Sequence, residues 1–349
     1  YGEEASPKDV MAPRLTTDGV LVQGFFTEAD KAEVLVGSRK YEMEKEDEAG
    51  YFAAMIPGRK IPEYEYRVTR GEEVQEFSDP YAFAGQITEA EEKAFCAGVY
   101  YHAYEKLGAH PMAINGVKGT SFAVWAPNAV RVSVVGNFNK WDGRRHAMHR
   151  MPMSGIFELF IPGVKVGDIY KYELKLKGNR IELKSDPYAA CTEVPPAGAS
   201  VVADTGAFQW EDEEWMAGRK KFADRKQPVS IYETSLTDWK DGEELVEFVK
   251  KLNYTHVELH PVMEYLDDEA GEYSTFAYYA PTRRFGMPQD FQKTVNELHK
   301  AGIGLILDWT PSHFPRVEGG LELFDGTPLY ENPDPSMAIH PIWGTLLYN

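Results

Sequence analysis

Two residues in the last third of the chain have the types and spacing for chemistry. They are Asp308 and His313, in Gly304-Leu-Ile-Leu-Asp-Trp-Thr-Pro-Ser-His313. An apolar run with branched side chains stops abruptly at an acid, and a proline turn and a histidine follow. A carboxylate and an imidazole at one strand end can bind, orient or exchange protons with a polar substrate. Alone, Asp-x-x-x-x-His is a weak signal: an aspartate that caps the next turn, with a solvated histidine, would give the same letters. Position decides between the readings. Ile303 to Leu307 reads as a strand buried on both faces. Pro288 to His299 before it has helical spacing, with Phe291, Val295 and Leu298 on one side. In β/α folds the C-terminal end of such a strand carries function, because its loop varies while the sheet holds it.

The elements that must position this pair begin near Ser230. Ile231 to Glu233 reads as a short strand and Glu243 to Leu252 as a helix with Leu245, Phe248, Val249 and Leu252 on one side. His256 to Val262 is a second strand, followed by a long loop from Met263 to Tyr278. Alternating strand and helix of this kind implies a parallel sheet or barrel. In the second strand, Val257 and Leu259 would face outer helices, and His256, Glu258 and His260 the inside, where Glu258 is expected in a satisfied hydrogen-bond network. A closed eight-stranded barrel takes roughly 250 residues. The sequence stops at Asn349, so the barrel is expected to be incomplete and the chain to be the front part of a longer protein. It opens on Tyr1 instead of Met, so the natural start is expected upstream.

An internal repeat organises the first two hundred or so residues. Gly50-Tyr-Phe-Ala-Ala-Met-Ile-Pro-Gly58 returns as Gly155-Ile-Phe-Glu-Leu-Phe-Ile-Pro-Gly163, Tyr64-Glu-Tyr66 as Tyr170-Lys-Tyr172, and Ser78-Asp-Pro-Tyr-Ala82 as Ser185-Asp-Pro-Tyr-Ala189, at offsets of 105 to 107 residues. Each copy has alternating strands punctuated by Pro and Gly and reads as a β-sandwich. The second copy carries an extra polar loop, Asn137-Phe-Asn-Lys-Trp-Asp-Gly143. Trp125 alternates into the core, while Trp141, in that loop, either touches a ligand or clamps its own loop. His146 and His149 read as solvated, a poor metal pair without a third ligand. The resulting domains are an N-terminal sandwich at 1–87, a helical linker at 88–117 that packs on the second sandwich at 118–205, and a partial barrel at 206–349. Trp210 to Trp215 and Arg219 to Lys226 read as charged connections.

Bulk properties exclude several roles. The net charge of −18 argues against nucleic acid or an anionic membrane as the main partner. The sequence contains no apolar run long enough to span a bilayer and no basic, apolar leader. Cys96 and Cys191 lack metal-ligand spacing, and reduced thiols in the cytoplasm are the expectation.

The long ordered series of motifs resembles the 1,4-α-glucan (glycogen) branching enzymes of the α-amylase superfamily. Phe122-Ala-Val-Trp-Ala-Pro-Asn-Ala129 and Val134-Val-Gly-Asn-Phe-Asn-Lys-Trp-Asp-Gly-Arg-Arg-His146 look like that family's glycogen-binding-type sandwich. Ser230-Ile-Tyr-Glu233, Tyr254 to Leu259, Pro261-Val-Met-Glu264, Tyr279-Ala-Pro-Thr-Arg-Arg-Phe-Gly286, Asp308 to Phe314 and Phe324-Asp-Gly-Thr327 look like the first third of its catalytic barrel. The resemblance covers nearly the whole chain. It implies two immunoglobulin-like sandwiches followed by the first part of a (β/α)8 TIM barrel.

It also implies a glycosyltransferase of glycogen biosynthesis, which moves an α-1,4-glucan segment to a 6-hydroxyl by a retaining double displacement. The substrate-binding residues carried over are Asp308, which fixes the site's geometry, His313, which hydrogen-bonds the reacting sugar, and Tyr273, which stacks under it; Trp141 is the candidate in the sandwich. No catalytic carboxylate is expected within this chain, since the family's nucleophile and general acid lie downstream. Gly271-Glu-Tyr273 stands where the family has Trp-Gly-Tyr, and Ser312 where many amylases have a calcium-ligating Asn; no metal and no cofactor is expected. The partner implied is an α-1,4-glucan such as glycogen, with neither nucleic acid nor membrane. A non-catalytic glucan-binding protein and a debranching hydrolase are the alternatives.

Overall fold

The computed structural model describes residues 6–221, 228–269 and 271–349. The segment read as a connection at 219–226 lies largely outside the described residues, as do Tyr1 and Ala270. The chain divides into two compact units, Tyr1–Asp186 with Asp325–Thr327, and Pro187–Phe324 with Pro328–Asn349.

The first unit opens with helix α1 (Pro7–Met11). Strands β1 (Arg14–Leu15), β2 (Val20–Phe25), β3 (Lys31–Val36), β4 (Arg39–Glu42), β5 (Glu44–Asp47), β6 (Tyr51–Ile56), β7 (Glu65–Arg70) and β8 (Glu73–Ser78) follow. They form two antiparallel sheets, ordered β1-β2-β6-β5 and β4-β3-β7-β8. The inner faces share one core, with Val20, Val22, Phe52 and Ile56 from one sheet and Ala32, Val34, Tyr66 and Val68 from the other. Period-2 alternation sets this register: in β7 only Tyr66 and Val68 are buried.

After helix α2 (Glu89–Cys96) come β9 (Gly108–Ile114), β10 (Val117–Trp125), β11 (Arg131–Gly136), β12 (His149–Arg150), β13 (Ile156–Pro162), β14 (Ile169–Lys175) and β15 (Ile181–Lys184). One sheet runs β12-β13-β10-β9, the other β11-β14-β15. Phe122 of the first meets Tyr170 of the second edge-on, with ring centroids 5.0 Å apart.

The repeat in the letters is a repeat in structure. Tyr64 and Tyr66 both donate to the Asp79 carboxylate, at 2.6 and 3.0 Å. Tyr170 and Tyr172 do the same to Asp186, at 2.6 and 3.1 Å. Each pair of rings is T-shaped, at 74° and 76°. A buried carboxylate needs donors, and two tyrosines spaced two residues apart supply them.

The segment expected as a helical linker at 88–117 is helical over α2 and one further turn at Ala103–Glu105, and its end is strand β9, paired along seven residues with β10. A capping box sets the start of α2: Thr88 accepts from the Glu91 amide, and Glu91 accepts from that of Thr88. The helix does pack on the second sandwich. Phe95 meets Trp125 edge-on at 5.7 Å, and buried Glu92 accepts from the amides of Met153 and Ser154 and from the Ser154 hydroxyl.

The second unit contains β16 (Ser200–Val201), α3 (Glu213–Gly218), β17 (Ile231–Thr234), α4 (Gly242–Lys251), β18 (His256–Leu259), β19 (Met263–Tyr265), β20 (Thr275–Pro281), α5 (Pro288–Lys300), β21 (Gly304–Leu307), β22 (His313–Phe314), α6 (Pro335–Ala338) and β23 (Leu346–Leu347). β17, β18 and β21 are parallel, in that order. Val257 and Leu259 bury against Leu245 and Val249 of α4 and Leu298 of α5, as the alternation required. Two expectations change. The long loop after the second strand is a two-stranded antiparallel ribbon, β19 with β20. Leu252, expected on the buried side of α4, is 50% exposed, because the helix ends there on its C-cap. Among the described residues no helix is long and apolar enough to cross a membrane. Both cysteines are free thiols, Cys96 exposed and Cys191 buried.

Candidate functional site

The parallel strands end side by side, and their register carries on into the residues that follow. The His260 amide donates to the Thr234 carbonyl at 3.0 Å, and the Asp308 amide to the Leu259 carbonyl at 2.9 Å. Backbone pairing therefore fixes two residues past the strand ends, His260 after β18 and Asp308 after β21, while Ser235 follows β17 with its amide on the Asp238 carboxylate.

The turn before β20 supplies the others. Tyr273 donates its hydroxyl to Asp308 Oδ2 at 2.9 Å, and its ring is 47% exposed. Glu272, its neighbour, points elsewhere. One oxygen accepts from the Ser235 hydroxyl and the other lies 3.1 Å from His260 Nδ1. The opposite ring nitrogen of His260 lies 3.3 Å from Glu233. His260 is thus held between two carboxylates, 6.4 Å from the Tyr273 ring centroid. The bond to Asp308 is the largest influence that raises the Tyr273 phenol pKa, followed by burial and the charge of Asp308.

The ribbon beneath is fixed by a buried ion pair. Glu264 is fully buried and accepts from Arg284 Nη1, the Arg283 amide at 2.7 Å and the Thr282 hydroxyl at 3.2 Å. The Arg284 guanidinium lies 3.9 Å over the Tyr265 ring.

His313 sits on β22, paired with β23, and is not hydrogen-bonded to Asp308. It is 8% exposed, its Nδ1 has no partner, and its ring packs on Trp343 at 4.8 Å, itself stacked on His340 at 4.0 Å. Burial and then the nearby His340 lower its pKa, so the ring stays neutral. A neutral imidazole with a free ring nitrogen can bond a hydroxyl.

Glu258 was expected in a satisfied network. Its side chain makes no hydrogen bond among the described residues and is half-buried on β18. Sequence reasoning gave no role to Ser235 and Trp309, and placed His260 on the inner face without assigning it one. Their signal was position: each stands just past the end of a parallel strand. Trp309 is 63% exposed beside Asp308. Among the described residues no three metal-ligating side chains gather to hold an ion.

In the second sandwich, the Asn137–Gly143 loop is built around Asn139. It accepts from the Gly136 amide at 2.9 Å and donates to the Val134 carbonyl at 2.8 Å and to His146 Nδ1 at 2.9 Å. His146 is therefore not the solvated residue expected. Burial, then the charge of Arg145, lowers its pKa to about 4 and keeps it neutral. Lys140 and Trp141 adopt left-handed backbone conformations, with φ of 57° and 60°. Trp141 Nε1 donates to Asn137 Oδ1 at 2.9 Å, and the side chain remains 38% exposed. The indole edge is fixed to its own loop while part of the ring meets solvent.

The family described as alpha-1,4-glucan branching enzyme GlgB, N-terminal domain, matches residues 1–81, and carbohydrate-binding module 48 (isoamylase N-terminal domain) matches 106–189. The 1,4-alpha-glucan branching enzyme GlgB of Cereibacter sphaeroides is 43% identical over 97% of this chain and 46% of its own length. That of Paramagnetospirillum magneticum is 39% identical over 100% of this chain and 49% of its own. The chain spans about half the length of these curated relatives. Among solved structures, pullulanase type I from Bacillus subtilis, complexed with maltose, aligns over 97% of this chain and 52% of its own, with a TM-score of 0.54 and 20% identity. A putative alpha amylase from Salmonella typhimurium covers 69% of this chain and 38% of its own, at a TM-score of 0.53 and 21% identity. These last two likenesses concern fold alone.

Proposed function

We propose that this chain is the N-terminal portion of a 1,4-alpha-glucan branching enzyme, the kind of protein it resembles at about 40% identity, and that it binds α-1,4-glucan for transfer of a glucan segment to a 6-hydroxyl. The observation that carries the proposal is the Tyr273–Asp308 pair beside parallel strand ends. A half-exposed phenol ring offers a face for the apolar C–H side of a pyranose, and the carboxylate fixed to its hydroxyl accepts from sugar hydroxyls.

In this reading Asp308 sets the geometry, Tyr273 is the platform, and His313 bonds a sugar hydroxyl through Nε2, its Nδ1 being buried. The departure at Gly271-Glu272-Tyr273 is compatible with it: the Glu272 carboxylate is engaged by Ser235 and His260, so the Tyr273 hydroxyl is left to Asp308. The transfer is a retaining double displacement, in which this chain's residues bind and orient the glucan. The second sandwich is a glucan-binding module with Trp141 as its contact.

The same proposal extends to architecture and setting. The two sandwiches are immunoglobulin-like at 1–87 and 118–205, joined through 88–117, and residues 206–349 are the opening part of a (β/α)8 barrel. Three parallel strands with α4 and α5 between them support the last assignment. The free thiols support a reducing, cytoplasmic setting. A debranching hydrolase is not favoured: a pullulanase fold neighbour at 20% identity says nothing of reaction type, whereas the sequence relatives at about 40% are branching enzymes.

Affinity electrophoresis tests the reading. The chain is expected to be retarded in gels that contain glycogen, and less so with Trp141→Ala or Asp308→Ala. Mobility independent of glycogen would overturn it.

A further inference from the structure

A cleft of about 780 Å³ opens in the first unit between the two sandwiches. Its walls carry one partly exposed ring on each side, Phe77 from the first sandwich and Phe138 from the second, with the buried Phe26 and Tyr66 behind. Arginines stand around it. We propose that this cleft binds a small organic phosphate, a monoester carried on a sugar or nucleoside ring, with Arg70 and Arg145 as the phosphate clamp and the aromatic wall as the seat of the ring. The proposal is independent of the glucan reading.

The two guanidiniums converge on one buried residue. Arg70 Nε donates to the Thr27 carbonyl at 3.0 Å, and Arg145 Nε donates to the Thr27 hydroxyl at 3.0 Å. Each spends its inner nitrogen on this anchor, which directs the outer fork away from it. Arg70 gives one amino group to Gln75, and the terminal amino groups of Arg145 have no hydrogen-bond partner among the described residues. The two like charges oppose each other, which contributes to a lowered Arg70 pKa after burial. A third arginine, Arg131, is 5% exposed, lines the cleft, and has a buried Nε with no partner.

The neighbouring carboxylates are already committed. Asp142 takes Arg144 in a two-pronged bond, the Thr27 hydroxyl and, at 3.7 Å, the Nε side of Arg145, Glu173 takes Arg131, and Asp79 takes Tyr64, Tyr66 and the Tyr81 amide. What remains unsatisfied is donor capacity, on the outer fork of Arg145 and on Arg131 Nε. Planar guanidinium forks match phosphate oxygens, and two of them suit a monoester, whose charge at neutral pH is roughly −1.5 to −2, better than a carboxylate. The cavity lies in the size range of small-molecule sites, and apolar walls with a few convergent polar groups are their usual make-up.

Isothermal titration of the full chain in zwitterionic buffer tests this, with glucose 1-phosphate and AMP as probes and glucose, adenosine and inorganic phosphate as controls. At least one ester is expected to bind with a Kd below about 1 mM and about tenfold or more tighter than every control. The better of the two esters then identifies the ring. Arg70→Ala and Arg145→Ala are each expected to weaken it about tenfold, with Arg145→Lys, a charge without the fork, in between. Neither ester binding better than inorganic phosphate would overturn the proposal, as would binding indifferent to both alanine changes. Should the variants fail to fold, hydrogen exchange of the unaltered chain decides. Protection at residues 24–27 and 138–147 on ester addition supports the site, and protection only elsewhere refutes it.

Discussion

The Tyr273 hydroxyl donates to the Asp308 carboxylate at 2.9 Å, so two residues 35 apart in sequence act as one unit at the strand ends. The bond holds the phenol proton, because a phenolate could not donate and would face Asp308 across a short gap. Asp308→Asn removes the charge and is expected to lower the Tyr273 pKa. NMR titration of ring-labelled tyrosine reads this directly; an unmoved Tyr273 signal would break the pairing.

The first sandwich is expected to lose stability as pH rises from about 4 to about 6. Burial raises the Asp79 pKa to about 6 against three opposing hydrogen bonds. The folded form therefore holds the proton more tightly than the unfolded one, and the cost of ionising Asp79 grows across that window and is constant above it. It amounts to roughly 3 kcal/mol if fully expressed. Asp79→Asn should flatten this part of the profile in urea melts taken at a series of pH values.

Breaking the pair under the ribbon should be costly. Glu264 is fully buried against Arg284, and Arg284→Met would leave its charge without its strongest partner. A loss of about 3 to 5 kcal/mol is expected in the second unit, against little change in the first. Hydrogen exchange resolved along the chain separates the two.

The repeat makes a paired forecast for two glycines. Gly50 and Gly155 hold φ of 107° and 72°, and a Cβ would lie 2.5 Å from the Phe26 carbonyl oxygen in one and 2.6 Å from Pro127 Cα in the other. Alanine at either is expected to destabilise its sandwich by roughly 1 to 3 kcal/mol. Thermal melts that tolerate one substitution but not the other would show that the copies differ at this turn.

Much of this was legible in the sequence, because period and repeat are local signals. The spacing of Val257 and Leu259 gave their buried face, and the repeated Tyr-x-Tyr and Ser-Asp-Pro-Tyr gave the duplication. What stayed hidden depends on distant partners. The ribbon β19–β20 needs two segments about ten residues apart to pair, and neither has a clean alternation. His146 is neutral because Asn139 and the loop enclose it, which its own neighbours in sequence do not reveal. The His260–Glu272 contact likewise joins a strand end to a turn, and nothing in either segment points to the other.

The central claim is that this chain grips α-glucan through the Trp141 loop and the Tyr273–Asp308 platform. Fluorine NMR of the chain carrying fluorotryptophan, titrated with maltoheptaose, tests it most directly. The account predicts a saturable shift of the Trp141 resonance, assigned with Trp141→Phe, and of Trp309 beside Asp308, while the half-buried Trp125 stays put. Saturable binding that leaves Trp141 and Trp309 unmoved, or no response to maltoheptaose at all, would contradict it.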